Sequence, residues 1–324
     1  MKAQRLVFPE ANKCEMETFD IPDQLEAGRV LLKNVVSLVS PGTELALFCG
    51  THRALPVPEN KWAKYPFRPG YAAIGEVQAD AGNLKKGDRV MHWGPHATYA
   101  TPTVAEVTLV PKEMDVEIAP FLRMLQISMT TIRLAPLKVG ERVLVIGQGI
   151  VGNFAAQLYN QCGAMDVIAA EQSKGRIAKA KACGITTIFN TTNKTLAELF
   201  AETKTPAPEL VVEAIGLAST ITEALKVVAR RGRVVLLGSP RKVQEFDPYF
   251  DIHAKGTILI GAHGAHYDAA QMAADVPLLW KWLHTEKIKV RPMITHRINQ
   301  QQALTIYPNL RDNPEEYMGV IIKY

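Results

Sequence analysis

The apolar positions change their period after residue 118. Before it they come in short runs broken by turns. Arg29 to Val39 is β-rich and stops at Ser40-Pro41-Gly42; Ala73 to Val77 and Arg89 to Met91 are short strands, with Lys86-Gly87-Asp88 as the turn between them. Residues 51–70 hold several prolines and no period, which predicts a long loop of the kind that binds ligands. Short strands with frequent turns predict a small β-barrel-like domain. From Ala119 a helix runs to Leu137, and strands and helices then alternate. Val143 to Ile146 is an unbroken apolar run, as a strand buried on both faces requires. Val151, Phe154, Ala155, Leu158 and Cys162 follow at helical spacing, and Val167 to Ala170 is a second apolar run. Further strands are predicted at 187–189, 210–214, 233–237 and 258–260, with helices near 174–183, 195–202, 218–229 and 268–285. The alternation predicts an α/β fold, a doubly wound parallel sheet of about six strands. Short strands ending in Gly319 to Tyr324 return to the first domain. The expected division is 1–118, 119–266 and 267–324.

Between the two apolar runs lies Gly147-Gln148-Gly149-Ile150-Val151-Gly152, a full G-x-G-x-x-G, and the second run ends in Glu171, 19 residues after Gly152. Strand, glycines, helix, strand and acid in this order predict a dinucleotide site. Gly147 allows the tight turn, Gly149 lets backbone approach a pyrophosphate, and Gly152 lets the helix pack on the strand. The helix N-terminus at Ile150 and Val151 offers its N–H groups to the phosphates. Glu171 would accept both ribose hydroxyls and repel a 2′-phosphate, which favours NAD; Ser173, Lys174 and Arg176 leave room for NADP. Gly216 and Gly238 follow later strands at the sheet edge where ligands bind.

Composition narrows the class. At 324 residues, 47% hydrophobic and 21% charged, the chain can bury two cores, and its net charge of +5 is spread without runs. No nucleic-acid partner is expected. No apolar stretch reaches the about 18 residues of a membrane span, so a cytoplasmic protein is expected. Cys14, Cys49, Cys162 and Cys183 have no C-x-x-C spacing and predict reduced thiols.

Lys86-Gly-Asp-Arg-Val90, Val139-Gly-Glu-Arg-Val143 before the glycines, Val211-Val-Glu-Ala-Ile-Gly216, Gly232-Arg-Val-Val235, Ile294-Thr-His-Arg297 and Gly319-Val-Ile-Ile322 together resemble the medium-chain dehydrogenase/reductase (alcohol dehydrogenase) superfamily. Ser40-Pro-Gly-Thr-Glu-Leu45, Pro69-Gly-Tyr71 and Gly94-Pro-His-Ala97 resemble its bacteriochlorophyllide a dehydrogenase-like branch. The resemblance implies a GroES-like catalytic domain beside a Rossmann domain, a nicotinamide cofactor, a small-molecule substrate and a homodimer or homotetramer. It also marks departures. Where zinc members carry their three catalytic ligands, this chain has Pro41, Tyr71 and a position near Ile127, and the four-cysteine lobe is missing. A zinc-free member is expected.

Without a metal, a side chain must handle the proton. Tyr71, at a former ligand position, is the first candidate, and Thr43 its helper. His92 and His96 are the paired histidines of the first domain. Tyr71 could equally fill the hole left by the metal, and His96 could be a packing residue. His263 would flank the nicotinamide; Glu44, His52, Trp62, Trp93 and His266 are candidates for the substrate pocket. So polar a lining suits a hydroxyl-rich ring such as a sugar or cyclitol. The expectation is NAD-linked oxidation of a secondary alcohol, a polyol or sugar-like one favoured. An NADPH-dependent quinone or enone reductase, or a dinucleotide-binding protein without catalysis, are the alternatives.

Overall fold

The computed structural model describes residues 1–324 with the exception of Ala265. Contacts divide the chain into two compact units, Met1–Arg123 with Ile294–Tyr324, and Met124–Met293.

The first unit opens with β1 (Lys2–Val7) and β2 (Glu15–Asp20), an antiparallel pair in the register Lys2↔Asp20 to Val7↔Glu15. β3 (Leu32–Leu38) leads through Ser40-Pro41-Gly42 into α1 (Thr43–Phe48). After the irregular stretch 49–72 come β4 (Ala73–Val77), β5 (Arg89–His92), β6 (Tyr99–Ala100) and β7 (Thr108–Leu109). α2 (Phe121–Leu134) begins at the end of this unit.

In the second unit, β8 (Arg142–Ile146), α3 (Ile150–Gln161), β9 (Asp166–Glu171), α4 (Lys174–Ala182), β10 (Thr187–Asn190), α5 (Leu196–Thr203), β11 (Leu210–Glu213), α6 (Ala218–Val227) and β12 (Arg233–Leu236) alternate strictly. β13 (Ile258–Gly261) and α7 (Ala269–His284) complete it. Its six strands are parallel in the order β10-β9-β8-β11-β12-β13. The order reverses between β8 and β11, and in such sheets the crevice at that switch point, outside the carboxyl ends, is where ligands bind. Val143 to Ile146 are all buried, and Phe154, Ala155 and Leu158 of α3 are fully buried. The apolar run and the helical stripe thus fill the positions their periods predict. Leu144, Ile168, Phe189, Phe200, Val211, Leu225 and Val234 form the core on one side of the sheet.

The chain returns to the first unit through β14 (Ile294–Asn299), α8 (Ile306–Asp312) and β15 (Gly319–Lys323). These join the seven-stranded sheet β14-β15-β3-β4-β5-β7, with β6 paired to β3. Phe8, Phe48 and Tyr307 pack edge to face or stacked, with Phe67 tilted against Phe8, so α1, α8 and the N-terminal hairpin share one aromatic cluster. The hairpin, α1 and α8 were not anticipated. Six- and seven-residue helices are too short for a helical period to register, and here tertiary packing makes them. Among the described residues no helix is long and apolar enough to cross a membrane, and all four cysteines are free.

Candidate active-site residues and the glycine turn

The glycine turn of the second unit is shaped by contact. A Cβ on Gly152 would lie 2.1 Å from the Gly147 carbonyl oxygen and 3.0 Å from Ala214 Cβ, so only glycine lets α3 approach β8 and β11. At Gly147 φ is +91°, whereas a Cβ on Gly149 would meet open space. Gly149 caps α3 with no side-chain hydrogen bond to the first N–H groups of the helix, at Ile150 and Val151. Gly216 and Gly238, after β11 and β12, are pressed together: a Cβ on Gly238 would lie 2.4 Å from Gly216 N. Glu213 holds this turn by accepting from Ile215 N, Gly216 N and Thr220 Oγ1, and burial raises its carboxyl pKa.

Glu171 is placed differently from the expectation of a carboxylate reserved for two ribose hydroxyls. It is buried, and it accepts from Gln148 N at 2.8 Å, Gln172 N at 2.9 Å and Ser173 N at 3.0 Å. Three of about four acceptor sites are used by backbone. The acid therefore ties the glycine turn to the start of α4, with room for one further donor. Arg176 lies in the first turn of α4, capped by Ser173. His263 and His266 stand exposed after β13, ring centroids 6.2 Å apart and T-shaped. Beneath the turn, the buried side chains Gln148, Asn153 and Gln157 are hydrogen-bonded in series, and Gln157 exchanges two bonds with the Lys289 backbone.

In the first unit, Gly70 (φ +112°) is pressed on Pro95-His96, a Cβ there lying 2.4 Å from His96 N, and His96 N donates to Pro69 O at 2.8 Å. The motifs Pro69-Gly-Tyr71 and Gly94-Pro-His96 are thereby fixed to each other. The Tyr71 hydroxyl is hydrogen-bonded to Ser40 Oγ. Burial, and next the charge of Glu44, push the Tyr71 pKa up, while the hydroxyls of Ser40 and Thr43 and the charge of Arg123 pull the other way. Glu44 is fully buried; its Oε2 accepts from Tyr307 OH at 2.7 Å and faces His96 Nε2 at 3.0 Å. His96 Nδ1 lies 2.7 Å from Ser37 Oγ, which is 2.9 Å from Tyr324 OH. Glu44 Oε1 has no partner.

His92 does not belong to this group. Its Nδ1 accepts from Gly94 N at 3.0 Å, which leaves the proton on Nε2, 2.8 Å from Asn34 Oδ1. Fully buried, with both nitrogens engaged and its pKa pushed down to about 4 by burial, it is a neutral structural residue rather than a proton carrier. His96 is equally inaccessible, its two ring nitrogens engaged by Glu44 and Ser37. His52 accepts from Ala54 N and meets Trp62 edge to face at 5.5 Å; Trp62 in turn meets Phe67 at 5.5 Å. That cluster stiffens the long loop.

Arg123 went unnoticed in the sequence. It stands in the first turn of α2, its guanidinium 3.5 Å from the ring centroid of Trp93 and 5.9 Å from that of Tyr71. The residue of α2 that reaches Tyr71 is thus Arg123, one turn before Ile127. The available signal was one arginine in the apolar run Phe121-Leu-Arg-Met-Leu125. Among the described residues, no three His, Cys, Asp or Glu side chains gather in a group that could hold a metal ion.

Residues 151–282 match the family described as zinc-binding dehydrogenase. L-threonine 3-dehydrogenase of Bacillus licheniformis is 27% identical over 211 residues, which are 64% of this chain and 59% of that one. The chain thus spans about three fifths of the length of that relative. An alcohol dehydrogenase of Escherichia coli CFT073 solved with NADH shares the fold, with TM-score 0.84 at 19% identity over 100% of this chain and 99% of that one. Galactitol-1-phosphate dehydrogenase of Escherichia coli superposes with TM-score 0.86 at 18% identity over 99% and 100%. At such identities the two structures speak for the fold alone. The glycine turn, the strand order 3-2-1-4-5-6 and the separate sheet unit agree with the family match over residues 151–282, and the chain is similar to zinc-type medium-chain dehydrogenases of the alcohol dehydrogenase superfamily.

Proposed function

We propose that the protein is an NAD-dependent, zinc-independent oxidoreductase that interconverts a secondary alcohol and a ketone, on a polyol or sugar-like substrate. The observation that carries the reading is the cradle at Gly147–Gly152, open above Gly149 and tied to Glu171. These residues fit a dinucleotide: the α3 N-terminus would hold the pyrophosphate, and Gly216, Gly238 and His263, which follow β11, β12 and β13, would lie toward the nicotinamide. Glu171 keeps one acceptor site for the ribose, and its negative charge opposes a 2′-phosphate. When bound, the nicotinamide supplies or accepts the hydride.

A catalytic zinc does not fit the donor set. Pro41 and Ile127 offer no donor atom, the raised pKa of Tyr71 disfavours a phenolate ligand, and the Arg123 cation beside it opposes a second positive charge. The proton is then handled at the Tyr71 hydroxyl. At neutral pH Tyr71 is protonated and gives its proton to the forming alkoxide of a ketone, with Ser40 and Thr43 beside it to restore it. In the reverse direction the Tyr71 oxygen takes the alcohol's proton as its own proton passes to the hydroxyl of Ser40 or Thr43 and on to water. Glu44, braced by His96 and Tyr307, positions α1 and hence Thr43. A relative named for L-threonine supports a polar, hydroxyl-bearing substrate.

A second copy of this chain is the proposed partner. Among the described residues β13 ends the parallel sheet with one side unpaired, and Ile258, Tyr249 and Phe250 are exposed on it and just before it. Antiparallel pairing of two such edges closes a two-fold dimer.

The test is calorimetric titration with NADH and NADPH, followed by turnover of polyols with NAD by wild type and Tyr71→Phe. Tighter NADH binding and a loss of 10²-fold or more in kcat on Tyr71→Phe are expected, the range of a general acid. Full turnover by Tyr71→Phe would reduce Tyr71 to a space-filler, and tighter NADPH binding would favour the enone reductase.

A further inference from the structure

Arg123 is a charge without a counter-charge. It is 9% exposed, its Nε is buried with no hydrogen-bond partner, and among the described residues its side chain makes no ion pair. Glu44, the acid of the neighbouring network, is engaged through its Oε2 with His96 and Tyr307. What holds Arg123 is the face of Trp93, at 3.5 Å. Stacking fixes the plane of a guanidinium and leaves its in-plane N–H groups for another ligand. Burial lowers its pKa to about 10, so it remains charged at neutral pH.

A buried cation without a protein partner is costly, and an anionic group of the substrate is the simplest counter-charge for it. We propose that Arg123 is the receptor for an oxyanion group of the substrate, a carboxylate or a phosphate, lying close to the hydroxyl that Tyr71 serves. This rests on the reading of Tyr71 as the proton-handling group, and it narrows the substrate from a polyol to an anionic polyol. A guanidinium presents two parallel N–H bonds that match the two oxygens of either anion. Trp93, 45% exposed, forms the apolar wall that holds the fork in place. The Tyr71 ring centroid, 5.9 Å from the guanidinium carbon, keeps an anion on Arg123 within a few bonds of the oxygen that Tyr71 serves.

The experiment is calorimetric titration of the NADH-loaded full-length protein with three six-carbon probes: sorbitol, which is neutral, gluconate, which carries a carboxylate, and sorbitol 6-phosphate. At least one anionic probe is expected to bind tenfold or more tightly than sorbitol, and which one does so tells carboxylate from phosphate. In Arg123→Gln that preference should fall to about one, and in Arg123→Lys part of it should return. NADH affinity measured on each variant reports folding of the cofactor unit. Equal or weaker binding of both anions than of sorbitol, or a preference that survives Arg123→Gln, overturns the proposal whether or not any probe is turned over. Failure of the dehydrogenase reading shows instead as absent NADH binding or absent turnover by wild type.

Discussion

The two units build their functional groups by opposite means. In the second, the work is done by backbone and by the absence of side chains. Gly147, Gly149 and Gly152 form a turn within six residues, and one acid 19 residues on ties it down through three N–H groups. In the first, the work is done by side chains gathered from far apart. Ser37, Ser40, Glu44, Tyr71, His96, Arg123, Tyr307 and Tyr324 meet across almost the whole length of the chain. The backbone cradle tolerates no added atom at Gly152, whereas a side-chain network tolerates change but loses specific chemistry.

The largest break in that contrast is Gly152→Val. Its Cβ would meet the Gly147 carbonyl at 2.1 Å, so the turn must open. NADH affinity should fall more than a hundredfold and stability by about 3 kcal/mol, as overpacked cores do; titration and urea unfolding would read both. Next is Tyr71→Phe, which keeps the ring and removes one hydroxyl. Here kcat should fall by about 10²- to 10⁴-fold with NADH affinity unchanged.

A smaller effect separates structure from chemistry in the first unit. Folding lowers the His92 pKa from 6.5 to about 4. The unfolded chain therefore binds the extra proton between those values. The stability due to the buried neutral ring is complete above pH 6.5, falls as the pH drops through this window, and is gone below 4. The loss is about 3 kcal/mol at 1.4 kcal/mol per pKa unit. Thermal unfolding from pH 7.5 to 4.5 should show it, and His92→Gln should flatten the curve; an unchanged slope would return His92 to an exposed role. The smallest is Glu171→Gln. It keeps an acceptor for backbone but removes the charge, and the NADH-over-NADPH affinity ratio should drop about tenfold, the worth of one charge-assisted bond. A ratio that does not move would mean the acid only ties the turn.

The same contrast explains what the sequence could and could not reveal. The parallel sheet, its glycine turn and its terminal acid are local, so period and spacing expose them. Strand β11, predicted over 210–214, is Leu210–Glu213, and the helix predicted over 268–285 is Ala269–His284. α1 and α8 were missed because their stability comes from the Phe8–Phe48–Tyr307 cluster rather than from their own six or seven residues. His92 looked like a catalyst because a sequence gives its type and not its burial. Arg123 was hidden for the converse reason: one charge inside an apolar helix matters only once its partners, or their absence, are known. Glu171 was legible as a position, while its three backbone donors were not.

The central claim is that the proton is moved by Tyr71 and not through a metal. The most direct measurement is the single-turnover rate of NADH oxidation by a keto-polyol such as fructose or 5-ketogluconate, on protein stripped with a chelator and on Tyr71→Phe. The account predicts that stripped wild type keeps its full rate and that the variant loses at least a hundredfold. A rate abolished by stripping and restored by zinc, with Tyr71→Phe unimpaired, would contradict it.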